Sequence, residues 1–136
     1  MINVAGLLRA RQAPDREGLY RADGTARHAE VDGPTLSWLD LGGPLDVHAM
    51  DDEDVIELDP AVHIALPDGG SVCCGEGPLG ADGFFARYKA EGEPAWAVVL
   101  HNSNPFLEAG VEGMVAIFTN NLGHSLRIDL TSPESS

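Results

Sequence analysis

The residues most able to do chemistry are the acids of "MDDEDVIELD", residues 50 to 59. They are Asp51, Asp52, Glu53, Asp54, Glu57 and Asp59. With Asp40 and Asp46 they place eight carboxylates in residues 40 to 59, with no Lys or Arg among them. Carboxylates at this density can hold a hard cation or attract a basic protein. A calcium loop of the EF-hand kind needs alternating oxygen ligands and a glycine at its sixth position. Counting from Asp51, the sixth residue is Ile56, so that match fails. Two readings remain. One is a solvated turn leading into an edge strand, where charge guards against aggregation. The other is a docking surface whose carboxylates speed encounter with a basic partner, with the six acids as the partner-binding residues.

The remaining groups point to less. His28, His48, His63, His101 and His124 could supply a metal site, but no two lie within four residues of each other, so no paired ligand spacing exists. "HNSNPF", residues 101 to 106, puts polar groups just after the apolar run "AWAVVL". Ser103 lacks a G-x-S-x-G elbow. Asn102, Ser103 and Asn104 with Pro105 are turn formers, and the segment reads as a turn. Residues 72 to 88 hold four glycines without the lysine a phosphate loop requires, and Gly83 runs straight into Phe84 and Phe85. Cys73 and Cys74 are adjacent, which on a strand sends them to opposite faces and makes a mutual disulfide strained. Two reduced thiols are expected, one in the core and one exposed. No motif calls for a cofactor.

Charge narrows the partner. Eight Lys and Arg stand against 22 Asp and Glu, a net charge of −14. Residues 1 to 27 carry five arginines against three acids, whereas residues 28 to 136 carry three cations against nineteen acids. Such a body repels phosphate backbones and anionic lipid, so direct nucleic-acid and membrane binding are not expected. "MINVAGLLRARQ" has no basic residue ahead of its short apolar stretch, unlike an export signal. With its reduced thiols, the chain is expected in the cytoplasm.

Strand periodicity must position these groups. In "HSLRIDL" Leu126, Ile128 and Leu130 alternate with Ser125, Arg127 and Asp129, and "NNLG" joins this run to "GMVAIFT" as a hairpin. "VHIALP" and "SVCCGEG" flank Pro67, Asp68, Gly69 and Gly70, a second turn, and "GFFARYK" leads through "AEGEP" to "AWAVVLH". Further runs in "ARHAEVD", "TLSWLDL", "PLDVHAM" and "DVIELD" bring the total to about eight to ten short strands. The fold expected is mostly β: an antiparallel β-sandwich or rolled sheet with at most one short N-terminal helix, in "NVAGLLRARQ". Residues 1–18 read as that arm or helix plus a linker, 19–130 as a single β-rich domain, and 131–136 as a flexible tail.

In size and charge the chain is similar to bacterial immunity proteins and antitoxins, which cover the basic cleft of a toxic enzyme. No motif carries residues across from them. What the similarity implies is a non-enzymatic acidic binding module that inhibits a basic protein partner, such as a toxin enzyme. The alternative is a small cupin-like β-barrel, a metal-dependent enzyme or small-molecule sensor, with a pocket lined by Trp38, Trp96 and converging histidines.

Overall fold

The computed structural model describes residues 2–135. One helix, α1 (Val4–Arg9), precedes twelve strands: β1 (Gln12–Pro14), β2 (Gly18–Arg21), β3 (Ala26–Val31), β4 (Leu39–Leu45), β5 (Val55–Glu57), β6 (Asp59–Ala65), β7 (Ser71–Glu76), β8 (Gly83–Tyr88), β9 (Pro94–Leu100), β10 (Phe106–Glu112), β11 (Val115–Asn120) and β12 (Ser125–Asp129). Seven strands form one antiparallel sheet in the order β4-β3-β2-β9-β8-β7-β6; β10-β11-β12 form a second sheet and β1-β5 a two-stranded ribbon. The mostly-β expectation holds. The strands outside the expected runs are β1, within the segment expected as a linker, β2 and β10, and the β-rich body is split between two larger sheets and the ribbon.

The large sheet is covered on both faces, which explains its apolar central strands. On one face Trp96, Val98 and Leu100 of β9 and Phe85 of β8 pack against Phe106, Ala116, Phe118, Leu126 and Ile128 of the second sheet. Phe85 is the hub: it stacks on Phe118 with centroids 4.7 Å apart and meets Phe106 and Trp96 edge-on at 5.5 and 6.2 Å. On the other face Tyr20, Phe84, Tyr88, Ala97 and Val99 pack beneath α1 and the ribbon, against Val4, Leu8, Ala13 and Ile56. Asn3 caps α1 by accepting the Gly6 N–H at 3.0 Å. The helix is docked by its apolar side and by the Tyr88 hydroxyl, which donates to Leu8 O at 2.9 Å.

Several sequence expectations are corrected by this layering. Cys73 and Cys74 do face opposite ways, but both are buried, one in each core. Burial raises their thiols to about 11 and about 12, respectively. "PLDVHAM" is not a strand: β4 ends at Leu45 and Val47–Ala49 form a 3-10 turn capped by Asp46. Near the C-terminus, Pro133–Ser135 form another 3-10 turn, tethered by Arg21 donating to Glu134; Ser136 lies outside the described residues. Trp96 is buried in the core, but Trp38 is 47% exposed.

The strand registers define two ends. Gly18 lies opposite Val99, Val31 opposite Leu39, Gly83 opposite Leu100, and Phe106 opposite Asn120. The loops 15–17, 32–38, 77–82, 101–105 and 121–124 therefore gather at one end of the strands. The turns 22–25, 66–70, 89–93 and 113–114 gather at the other. No helix among the described residues is long and apolar enough to cross a membrane.

Candidate partner-binding surface

The acidic residues of this chain divide into those whose carboxylates build turns and those whose carboxylates do not. Asp23, Asp46, Asp51, Asp68 and Asp129 each accept the backbone N–H two residues on, at 2.8 to 3.0 Å. Asp32 accepts from the Thr35 hydroxyl and the Ser37 N–H. These are turn-building residues, and the geometry accounts for their abundance in so loop-rich a chain. Such bonds favour the ionised form: the Thr25 hydroxyl and N–H lower the carboxyl of Asp23, and the Thr35 hydroxyl lowers that of Asp32.

The second group has no such duty. Glu30 on β3 lies directly opposite Asp40 on β4, and neither side chain makes a hydrogen bond or ion pair with the described residues. Like charges at facing positions oppose pairing. They line a cleft of about 410 Å³ with Asp15, Arg16 and Glu17 from the β1–β2 loop, His28 from β3 and His101 from the end of β9. Oε2 of Glu17 is screened from solvent and has no hydrogen-bond partner among the described residues. Nε2 of His101 stands 3.3 Å from Oδ1 of Asp15, close enough for an ion pair when the imidazole is protonated.

The predicted acids meet this cleft at one side only. The Asp54 carbonyl accepts the Asp15 N–H at 2.9 Å, and Asp51 and Asp54 border a smaller groove with Asp15 and Arg16. Asp52 and Glu53 are exposed at the tip of the same turn, whose shape comes from the Asp51 carbonyl and carboxylate accepting from Asp54 and Glu53. Its own backbone N–H helps to lower the carboxyl of Asp52. Glu57 lies on β5, where it accepts a bond from Nε2 of Gln12 at 2.6 Å. Asp59 starts β6, across from Glu76. Nothing in the sequence pointed to Asp15, Glu17 and Glu30, and Asp40 counted only with the acidic segment, because only the folded register brings the four together.

Of the cations, Arg16 lines the cleft, and Arg9, Arg11, Arg21, Arg27 and Arg87 have partners of their own. Arg9 pairs with Glu93 at 2.8 Å, Arg87 with Asp68 at 2.9 Å, and Arg21 with Glu134. Arg11 sits over the Tyr88 ring, 4.1 Å from its centroid, and Arg27 donates from Nε to Gly42 O at 3.0 Å. On the gathered loops at the cleft end, Arg16 is the one Lys or Arg among the described residues. The cleft thus holds four carboxylates, Asp15, Glu17, Glu30 and Asp40, against the single arginine Arg16.

The polar segment 101–105 is the turn by which the chain leaves the large sheet for the second one. Asn104 takes φ of 63°, a left-handed conformation that asparagine tolerates. The turn lies so close on β8 that a Cβ at Gly83 would collide with Asn104 O and the Ser103 hydroxyl. Its histidine reaches the cleft; its serine is fully buried. Trp38 and Trp96 do not share a pocket, since Trp38 stands at the cleft end and Trp96, opposite Arg21, at the other. Of the histidines, only His28 and His101 line the cleft, and no group of three or more His, Cys, Asp or Glu among the described residues could hold a metal ion. No protein-family model, curated protein or solved structure matches the chain.

Proposed function

We propose that this protein is a non-enzymatic acidic binding module that docks a basic protein partner and acts as an inhibitor of the immunity-protein kind. The observation that supports this reading is the cleft: Asp15, Glu17, Glu30 and Asp40 converge on it against one arginine, Arg16. The side chains of Glu30 and Asp40 have no hydrogen bond or ion pair among the described residues, while Arg9, Arg21 and Arg87 are paired with other acids. Facing carboxylates at Glu30 and Asp40 cost stability in the free protein, and a lysine or arginine from a partner would offset that cost. The mechanism is steric and electrostatic. Carboxylates occupy cations that otherwise hold a phosphate or substrate, and the body of the module blocks the site. The Asp51 to Asp54 turn adjoins the cleft through Asp15 and extends the negative field outward, where it steers encounter.

The test is association kinetics against a basic protein isolated from the source cells on the immobilised module. The expected association rate falls steeply with salt and falls again in a Glu30→Gln/Asp40→Asn variant. A rate indifferent to both salt and the double variant would overturn the reading.

A further inference from the structure

Besides its charge, the cleft end carries exposed apolar side chains that the fold does not need. Five large hydrophobic residues are exposed among those described, and three of them, Trp38, Leu79 and Leu122, stand on loops of this end at 47%, 69% and 59% exposure. Isolated exposed leucines are ordinary, whereas several at one end beside a cleft with a net excess of carboxylates form the apolar and polar parts of an interface. Leu79 borders a groove of about 250 Å³ with Asp15 and His101, and those two residues also line the acidic cleft. Trp38 precedes the strand that brings in Asp40.

These loops are fastened to one another. The buried side chain of Asn120 donates from Nδ2 to Pro34 O at 2.7 Å and to Ser103 O at 2.9 Å. Its Oδ1 accepts the Leu122 and His124 N–H groups, each at 3.0 Å. Asn104 donates through its backbone to Ala81 O at 2.9 Å and through its side chain to Asn121 at 3.1 Å. Asp82 closes the Leu79 turn, donating its N–H to Leu79 O and accepting the Leu79 N–H. Trp38, Leu79 and Leu122 are therefore carried on hydrogen-bonded loops, which lowers the ordering cost of binding.

We infer that this loop end is the contact face for the basic partner: the cleft takes a lysine or arginine side chain, and Trp38, Leu79 and Leu122 pack on apolar residues beside that cation. The inference rests on the docking function proposed above and adds the place and the mixed chemistry of the contact. Charge complementarity selects the occupant, since a second copy of this chain would bring the same carboxylates to the cleft.

Two peptides of equal positive charge test it, one alternating arginine with leucine and one alternating arginine with glycine, each titrated by NMR into the full chain at low salt. The arginine–leucine peptide is expected to bind about tenfold more tightly, the difference of a few apolar contacts. Its shifts should centre on residues 38, 79, 101 and 122. A Trp38→Ser/Leu79→Ser/Leu122→Ser variant should abolish that difference and leave the arginine–glycine affinity unchanged; if the triple variant melts early, Leu79→Ser alone should halve the preference or more. Equal affinities for the two peptides, or a preference that survives the variant, would overturn the contact face while leaving the charge-based function standing. Binding by neither peptide would overturn both.

Discussion

Replacing Asn120 by alanine tests whether one buried amide holds the loops of the cleft end together. The residue is 3% exposed and uses its whole hydrogen-bonding capacity: two bonds donated and two accepted. Alanine leaves Pro34 O and Ser103 O without their donors, and the Leu122 and His124 N–H groups without their acceptor. The two N–H groups belong to an exposed turn and can turn to water. Ser103 cannot, because it is fully buried. At about 1 kcal/mol for each bond and rather more for the orphaned carbonyl, less the recovery by water, the expected loss is about 3 kcal/mol. Urea unfolding followed by the fluorescence of buried Trp96 would show it. With a slope of about 1.5 kcal/mol per molar, the midpoint falls by about 2 M. A loss below about 1 kcal/mol would refute the view that these loops depend on Asn120. Asn120→Asp should be at least as costly, because a carboxylate would face two carbonyl oxygens.

Other expectations follow from the same geometry. Glu30→Gln should raise thermal stability by about 0.5 kcal/mol through relief of its repulsion with Asp40 while weakening association with a basic partner; a destabilised variant would count against the facing-charge account. Converting Asp51, Asp52 and Asp54 together to asparagine should slow association far more than it shifts the melting temperature, and the effect should vanish towards 1 M salt, where the Debye length is about 3 Å. Cys73 and Cys74, raised to about 11 and about 12 by burial, should resist a thiol reagent at pH 8 in the native state and give two reactive thiols in denaturant. The Gly70 N–H, ahead of Arg87, holds the Asp68 carboxyl below its ordinary range. Its contribution to stability is therefore present at neutral pH and lost as pH falls through the folded value, so Asp68→Asn should flatten that part of the acid limb in a pH series of melts.

Local pattern carried the β architecture. The alternation of Leu126, Ile128 and Leu130 and the turn before it correspond to the β11–β12 hairpin, and the helix at Val4–Arg9 follows from its short apolar stripe. The layering was not legible, for a physical reason. Alternation in "AWAVVL" assigns residues to two faces but does not say whether each face meets solvent or another layer; here both are covered, which buries Cys73 and Cys74 alike. β1 escaped because a three-residue strand carries too little periodicity and Pro14 argued for a linker, whereas β5 lies within the expected run "DVIELD".

The site shows the same boundary between local and long-range information. The turn-forming aspartates announce themselves: Asp23, Asp32, Asp68 and Asp129 precede Thr, Gly or Ser by two to five residues, and their bonds stay within that span. Asp51 belongs with them, so part of the acidity that singled out residues 50 to 59 is turn chemistry. Glu30 and Asp40 give no local sign, because their opposition depends on the register of β3 against β4, which is shifted between Arg27 and Ala29. A slip of one residue would send Glu30 to the other face of the sheet and dissolve the cleft. Under the proposed docking function, the carboxylates that carry it are thus the ones placed by tertiary pairing, Glu30 and Asp40, whose side chains have no bonds among the described residues. Neutralising a turn aspartate such as Asp23 should therefore cost folding more than association, and neutralising Asp40 should do the reverse.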